Sequence, residues 1–277
     1  MDKLSSILNQ LSFSTGVFYT GQLCGLGTFE GEKAQSSGHI HLLKQGVLET
    51  RESGKAPVIF DEPTLIFYPR PLPHTIKAEK ESNTEVVCAE IHYGAGPSNP
   101  LANSLPSMIN IPINQDRRFK ETVEWLFEEA FDSKCARQLV MDRLCEILIV
   151  QLLRHVINHR QVDVGLLAGL ADSRLARAME AIHKEPGKNW SLVELAELAT
   201  MSRSRFSAHF KEVNGQTPGD YIATWRVEVA KTHLKKGKRV GWVANEVGYE
   251  NTSTLARIFR SRTGISPKEW QKQFMDH

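Results

Sequence analysis

An α+β chain of two domains is predicted, a β-barrel with an appended helical segment followed by an all-α domain, and three observations predict it. From Gly16 to Tyr93 short β-type runs alternate with turns bearing Gly and Pro. From Phe119 the apolar residues recur at three- and four-residue spacing, and the last third of the chain repeats a helical pattern of its own. With 277 residues and 41% apolar content, the chain can bury two ordinary cores.

The strand region carries "VLETRE", "TLIFYP", "HTIKAE" and "TEVVCAEIHY", parted by turns such as "ESGKAP". Many short strands at close spacing build a sandwich or barrel. "GAGPSNPLANSLPS", Gly94 to Ser107, is a loop by composition. Phe119 to Phe131 and Ala136 to Asn158 then read as an antiparallel helix pair, the second with Val140, Leu144, Ile147, Leu148, Leu152 and Val156 in helical register. Packing against the barrel and a dimer face are both open to this pair, and they are compatible. "RQVDVGLLAGLADS" reads as a flexible connection. The expected boundaries are 1–160 for the first domain, 161–172 for the linker and 173–277 for the second domain.

Charge divides unevenly along the chain. From Asp172 onward there are 18 Lys and Arg against 12 Asp and Glu, a net of +6, whereas the first 171 residues hold 16 against 20. A positive C-terminal third suits a polyanion partner. No apolar stretch is long enough for a membrane span, and "MDKLSSILNQLSFS" lacks a basic segment leading into an apolar core. The four cysteines, Cys24, Cys88, Cys135 and Cys145, show no paired spacing, so a reducing cytoplasm is expected.

The repeat lies between "LVELAELATMSRSRFSAHFKEVNGQTPGDY", Leu192 to Tyr221, and "VGWVANEVGYENTSTLARIFRSRTGISPKEW", Val240 to Trp270. Leu195 and Ala196 match Val243 and Ala244. After one added residue at the turn, Phe206, Phe210, Gly215, Pro218 and Tyr221 match Leu255, Phe259, Gly264, Pro267 and Trp270. Each copy reads as a helix-turn-helix: a short helix with a small alanine at the crossing, a turn, an N-cap at Ser202 or Asn251, and a second helix with apolar residues four apart. In this motif the second helix enters the major groove of double-stranded DNA. Its outward face offers Arg203, Ser204, Ser207 and Ala208, flanked by Arg205, in the first copy, and Thr252, Ser253, Ala256 and Arg257 in the second. Lys211, Arg260 and Arg262 have the chemistry of phosphate contacts, which position without specifying. Between the copies, "PGDYIATWRVEVAKTHLKKGK" reads as one helix of about 17 residues, roughly 25 Å long at 1.5 Å per residue. Such a rod can hold two recognition helices about one DNA turn (~34 Å) apart.

Residues 173 to 274 resemble the DNA-binding domain of AraC-family transcriptional regulators. The resemblance rests on "SLVELAELATMSRSRFSAHF", "GQTPGDYIATWRVEVAKTHL", "VANEVGYENTSTLARIFR" and "GISPKEW". "TSTLARIF" stands where the family often has "SYFSRAF", a departure confined to the base-reading region. The resemblance implies a regulator, activator or repressor, that meets promoter operator DNA and RNA polymerase, acts as a homodimer, and carries an N-terminal cupin-like barrel sensing an effector. "IHLLKQGVLETRE" and "EPTLIFYPRPLPHTI" are similar to the cupin pattern of strand, Gly, hairpin and L-x-x-x-P-x-x-x-x-H, with Gly46 and His74 in the expected places.

Within that barrel His39 and His41, two apart on a strand, share a face, as do Cys88 and His92. The cupin-like placement implies a ligand set of Cys24, His41 and His74, with His39, Cys88 or His92 as a further ligand, suited to one zinc or other transition-metal ion per chain. Two other readings stay open. One is a pocket of satisfied histidines around a small organic effector; the other makes Cys24 or Cys88 a redox switch. Cys135 and Cys145 read as core. The alternative function is a cupin-type metalloenzyme. Its usual G-x5-H-x-H-x3,4-E arrangement needs a carboxylate where this chain has Gln45, and Glu49 lies too far along. The expected function is therefore transcription regulation and not catalysis.

Overall fold

The structure is a computed structural model in which residues 3–11, 13–29, 37–94, 99–159 and 161–275 are described. In chain order, α1 (Lys3–Gln10) precedes β1 (Phe13–Gln22), β2 (Gly25–Phe29), β3 (Ser37–Gln45), β4 (Leu48–Glu52), β5 (Val58–Phe60), β6 (Thr64–Tyr68), β7 (His74–Ala78) and β8 (Glu85–Tyr93). Next come α2 (Pro100–Asn103), β9 (Ile109–Pro112), α3 (Arg117–Phe131) and α4 (Arg137–Asn158). The remainder is helical: α5 (Leu166–Ala171), α6 (Leu175–Lys184), α7 (Leu192–Leu198), α8 (Arg203–Asn214), α9 (Pro218–Lys235), α10 (Val240–Glu246), α11 (Thr252–Thr263) and α12 (Pro267–Met275). Two compact units result. One comprises Phe13–Ser98 with Leu105–Val156, the other Met1–Ser12, Asn99–Ser104 and Ile157–His277.

The first unit is built on two antiparallel sheets, β1-β8-β3-β6-β9 and β2-β7-β4-β5. All four quoted strand runs form strands, each shortened by one residue at one end. Ser37 to Leu43 of β3 are buried on both faces, because one face lines the barrel and the other is covered. Leu43, Leu48, Ile66, Tyr68, Ile76, Val86 and Cys88 meet in the barrel core. α4 is fastened to β1 through Asp142, whose Oδ1 accepts from the Val17 amide at 2.8 Å while its carbonyl accepts from Thr15 Oγ1 at 2.6 Å. Its buried stripe includes Leu144, Leu148, Leu152 and Val156, but Ile147 faces outward at 46% exposure. Leu139 on α4 and Trp125 and Phe131 on α3 are exposed as well.

The second unit holds the repeat. α7 with α8 and α10 with α11 are the two helix-turn-helix copies, α9 joins them, and α12 packs back on α9. The two N-caps stand where expected: Ser202 accepts from the Arg205 amide, and Asn251 from the Thr254 amide. Gly215 and Gly264 end α8 and α11 in the left-handed conformation. Phe206, Phe210, Leu255 and Phe259 are fully buried, against Tyr221 and Trp270.

Four sequence expectations need correction. The connection over 161–172 is not an open tether: α5 buries Leu166, Leu167, Ala168 and Leu170, since its apolar run has a helical neighbour to pack on. The expected loop from Gly94 to Ser107 contains α2, capped by Asn99, while Ala95 to Ser98 lie outside the described residues. Cys135 is exposed in the turn before α4, whereas Cys145 is core as expected. The N-terminal α1, read with the barrel, packs against α6 through Leu4 and Ile7, and Gln10 donates to the His183 carbonyl.

The two turns solve one backbone problem differently. Gly248 sits at φ +79, and a Cβ there would come 2.3 Å from the Gly187 carbonyl oxygen, so only glycine fits. Its counterpart in the first copy is Thr200, a β-branched residue at φ 56. Thr200→Gly should therefore raise unfolding stability by about 1 kcal/mol, read as a shift in denaturant midpoint. No shift would mean that the Thr200 hydroxyl, which accepts from Arg177 at 2.9 Å, offsets the backbone cost.

Candidate functional site

Each recognition helix is a short, well-capped rod with one buried side. On α8, Arg203, Ser204, Arg205, Ala208 and Lys211 are exposed and Ser207 is half-buried; on α11, Thr252, Ser253, Arg257 and Arg260 are exposed and Ala256 is half-buried. Arg203, Arg205, Lys211 and Arg257 have no carboxylate within 4.0 Å among the described residues. Arg260 and Arg262 differ: Arg260 meets Glu269 at 3.3 Å, and Arg262 meets Asp220 at 3.6 Å while donating to Thr224 at 2.7 Å. Small and hydroxyl side chains set between unpaired cations make a surface that can approach base edges and phosphates closely.

Two contacts that sequence reasoning missed hold this surface in shape. Arg226, midway along α9, donates to the carbonyls of Pro186 at 2.8 Å, Lys188 at 2.9 Å and Gly248 at 3.3 Å. It thereby ties the segment leading into α7 and the turn between α10 and α11 to one rod. Asp172 accepts from the Arg174 and Leu175 amides at the start of α6 and from His209 Nε2 of α8 at 2.8 Å. No local signal marks Arg226 as a clamp, since Thr224 and Glu228 flank it as on any mixed helix face, and nothing pairs Asp172 with His209 in the sequence.

In the barrel the structure brings His39, His41 and His74 together and leaves Cys24 apart. His41 lies beside Cys88 in the β3–β8 register, and His74 lies beside Phe29 and Glu52 on β7. His41 Nε2 and His74 Nε2 are 3.0 Å apart, His41 Nδ1 is 3.2 Å from Cys88 Sγ, and His74 Nδ1 is 2.7 Å from the Leu72 carbonyl oxygen. A carbonyl only accepts, so His74 carries its proton on Nδ1 and offers the Nε2 lone pair. His41 then donates from Nε2, and its Nδ1 accepts from the Cys88 thiol. The result is one directed chain, Cys88 to His41 to His74 to Leu72, with every member neutral.

Burial enforces that neutrality. It pushes His41 well below its ordinary pKa, with His74 and His39 adding to the effect, and pushes His39 down to about 4, with His74 and His92 adding. His74 is also lowered by burial, against the Leu72 carbonyl and Glu52. The Cys88 thiol is pushed up to about 12 by burial. Phe29 and Tyr68 lie nearly parallel to His74 at 4.8 and 3.9 Å between ring centres. His39 packs on Phe29 at 4.8 Å, and its Nδ1 is buried with no hydrogen-bond partner among the described residues. His92 is partly exposed and pairs with Glu90 at 3.3 Å.

As a metal site this arrangement fits in part. The facing Nε2 atoms of His41 and His74 stand close to the separation that two ligands of one tetrahedral ion require, ~3.3 Å for bonds of about 2.0 Å. Cys24 is exposed between β1 and β2, and Cys88 sits on the Nδ1 side of His41, away from His74. No group of three or more His, Cys, Asp or Glu side chains stands in ligand geometry among the described residues. The neutral chain accounts for both imidazoles without an ion.

Comparison with known proteins matches each unit to a family. The cupin family model matches residues 2–158, and a helix-turn-helix domain model matches residues 195–273. An AraC-like transcription regulator of Streptomyces lividans is 32% identical over 65% of this chain and 60% of its own length. A second AraC-like regulator, of Streptomyces antibioticus, is 32% identical over 63% of this chain and 59% of its own. An HTH-type transcriptional regulator of Haemophilus influenzae is 27% identical over 87% of this chain and 88% of its own. The chain thus aligns with less than two thirds of the Streptomyces relatives' length.

The thiol environments make a direct prediction. With 5,5′-dithiobis(2-nitrobenzoate) near neutral pH, the exposed Cys24 and Cys135 should react promptly, and the buried Cys88 and Cys145 only after unfolding. Prompt reaction of Cys88 in the native protein would contradict the closed, neutral chain.

Proposed function

The chain belongs to the AraC-type regulators with an N-terminal cupin domain, and on that footing we propose that it is a sequence-specific transcription regulator whose barrel senses a chemical signal. The observation that carries the reading is the pair of equivalent recognition helices, α8 and α11, each with its cationic and hydroxyl face exposed and both mounted on α9. At 18 residues α9 is about 27 Å long, a span suited to successive major grooves on one face of double-stranded DNA.

In this reading Arg203, Ser204, Arg205, Ser207 and Ala208 of α8, with Thr252, Ser253, Ala256 and Arg257 of α11, face base edges and nearby phosphates. Lys211 and Arg260 hold the backbone. A homodimer is supported by the outward apolar residues Trp125, Phe131, Leu139 and Ile147, which the first unit leaves uncovered. RNA polymerase is the further partner that promoter DNA implies. Absence of catalysis is supported by Gln45 standing where a metal-binding carboxylate would complete an enzyme site. A cytoplasmic setting agrees with the exposed free thiols and with the lack, among the described residues, of a helix long and apolar enough to cross a membrane.

For the signal, the imidazole chain supports two readings. A zinc-type ion would take His41 Nε2 and His74 Nε2, displacing the proton between them, with His39 adjacent to supply a third nitrogen. An electrophile or oxidant would meet the exposed Cys24 first, since the Cys88 thiol is buried and almost wholly protonated. Elemental analysis of anaerobically purified protein, beside Cys24→Ser and His74→Ala variants, separates them. Stoichiometric metal lost on His74→Ala supports the ion, and metal-free wild type removes it.

The DNA assignment has its own test. Arg257→Ala should cost ~1–3 kcal/mol of discrimination between a selected and a shuffled duplex. Lys211→Ala should weaken binding to both alike and reduce the salt slope by about 0.9. An Arg257→Ala variant with undiminished discrimination would mean that α11 does not read bases through this face.

A further inference from the structure

The two helix-turn-helix copies differ at their entrances. In the first, Ser191 and Glu194 form a reciprocal capping box at the start of α7, and Glu194 also pairs with Lys188 at 3.1 Å. The cation of that segment is thus neutralised and the helix end satisfied. At the offset of 48 that relates Leu195 to Val243, the capping pair becomes Arg239 and Trp242, and Lys188 becomes Lys236. Arg239 makes no side-chain cap, so the second copy forgoes an interaction that commonly stabilises a helix.

What replaces it is a run of cations with an exposed ring. Lys236, Lys238 and Arg239 are all exposed, and Trp242 is 44% exposed with Lys238 Nζ over its ring at 5.5 Å. No acid occupies the segment from Lys235 to Val243. His233 packs on Trp242 at 5.0 Å and is held below its ordinary pKa chiefly by burial, with Lys236 and Lys238 pushing the same way against Glu246. The location is as telling as the charge: a Cβ on Gly241 would lie 3.7 Å from Thr252 Cγ2. Thr252 is the first residue of α11, the end that a recognition helix presents to the groove.

We propose that the α9–α10 corner, formed by Lys236, Lys238, Arg239 and Trp242, is a phosphate-contacting surface that grips the DNA backbone beside the groove entered by α11. The second helix-turn-helix thereby has an anchor that the first lacks. The inference rests on the DNA-binding reading above, and favours nucleic-acid phosphate over an acidic protein surface because the corner adjoins the base-reading end of α11.

The test uses the full-length chain, a duplex enriched from a random library by that chain, and a shuffled duplex of equal composition, with binding followed by fluorescence anisotropy across a salt series. Lys236→Gln/Lys238→Gln/Arg239→Gln should weaken binding to both duplexes alike and lower the salt slope by about 2 to 3, at ~0.9 for each phosphate no longer neutralised. Arg239→Ser/Trp242→Glu rebuilds the capping box of the first copy, and should raise Tm while weakening binding to both duplexes. If wild type binds DNA and the triple variant keeps its slope and affinity, the proposal fails while the regulator reading stands. A double variant that gains Tm with undiminished affinity also overturns it. If wild type binds neither duplex, the regulator reading itself fails.

Discussion

The helical unit depends on one guanidinium. Arg226 stands in the middle of α9 and donates to three backbone carbonyls, two in the segment before α7 and one in the turn after α10. A charged donor serving several carbonyls is worth more than neutral bonds and leaves fewer buried acceptors unsatisfied. Its consequence is geometric: both helix-turn-helix copies take their position from the same rod. Gly187 and Gly248 allow the close approach, because a side chain at either would strike backbone oxygen. A recognition surface made of two separated faces works only if their spacing is fixed. The Arg226 contacts and the packing of Trp225, Tyr221 and Leu234 supply that fixity.

The barrel follows a different constraint, the cost of burying charge. Three imidazoles and a thiol share an interior that charged forms could occupy only at large expense. For Cys88, His41 and His74 the tautomers arrange themselves so that each donor along the chain meets an acceptor down to the Leu72 carbonyl, and His39 stands beside it. Such a chain has one sense only, and a proton removed or added anywhere along it reverses or breaks it. That suits the interior to converting a chemical event into a structural one, with a coupling that need reach only ~1–3 kcal/mol.

Much of this was legible in the sequence, and the exceptions share a cause. The strand runs and the helical repeat are local patterns, and they appeared with the expected faces buried. The N-caps at Ser202 and Asn251 were equally local. Burial depth and long-range partners were not. His41 and His74 met, but Cys24, placed with them by resemblance, lies exposed in the connection between β1 and β2. "VGLLAGLA" read as a linker because its glycines mask a helix stabilised by neighbours rather than by propensity. Arg226 was invisible as a clamp because it recognises carbonyls, which every residue carries. Asp172 and His209 are 37 positions apart with no shared motif.

Two recognition helices mounted on one rod should enter successive grooves on one face of DNA. Hydroxyl-radical footprinting of the full-length protein on a selected duplex tests it most directly. Two protected patches should appear on the same face, centred about one helical turn (~10 bp) apart. A single patch per bound chain, with no second protection at that spacing, would contradict it.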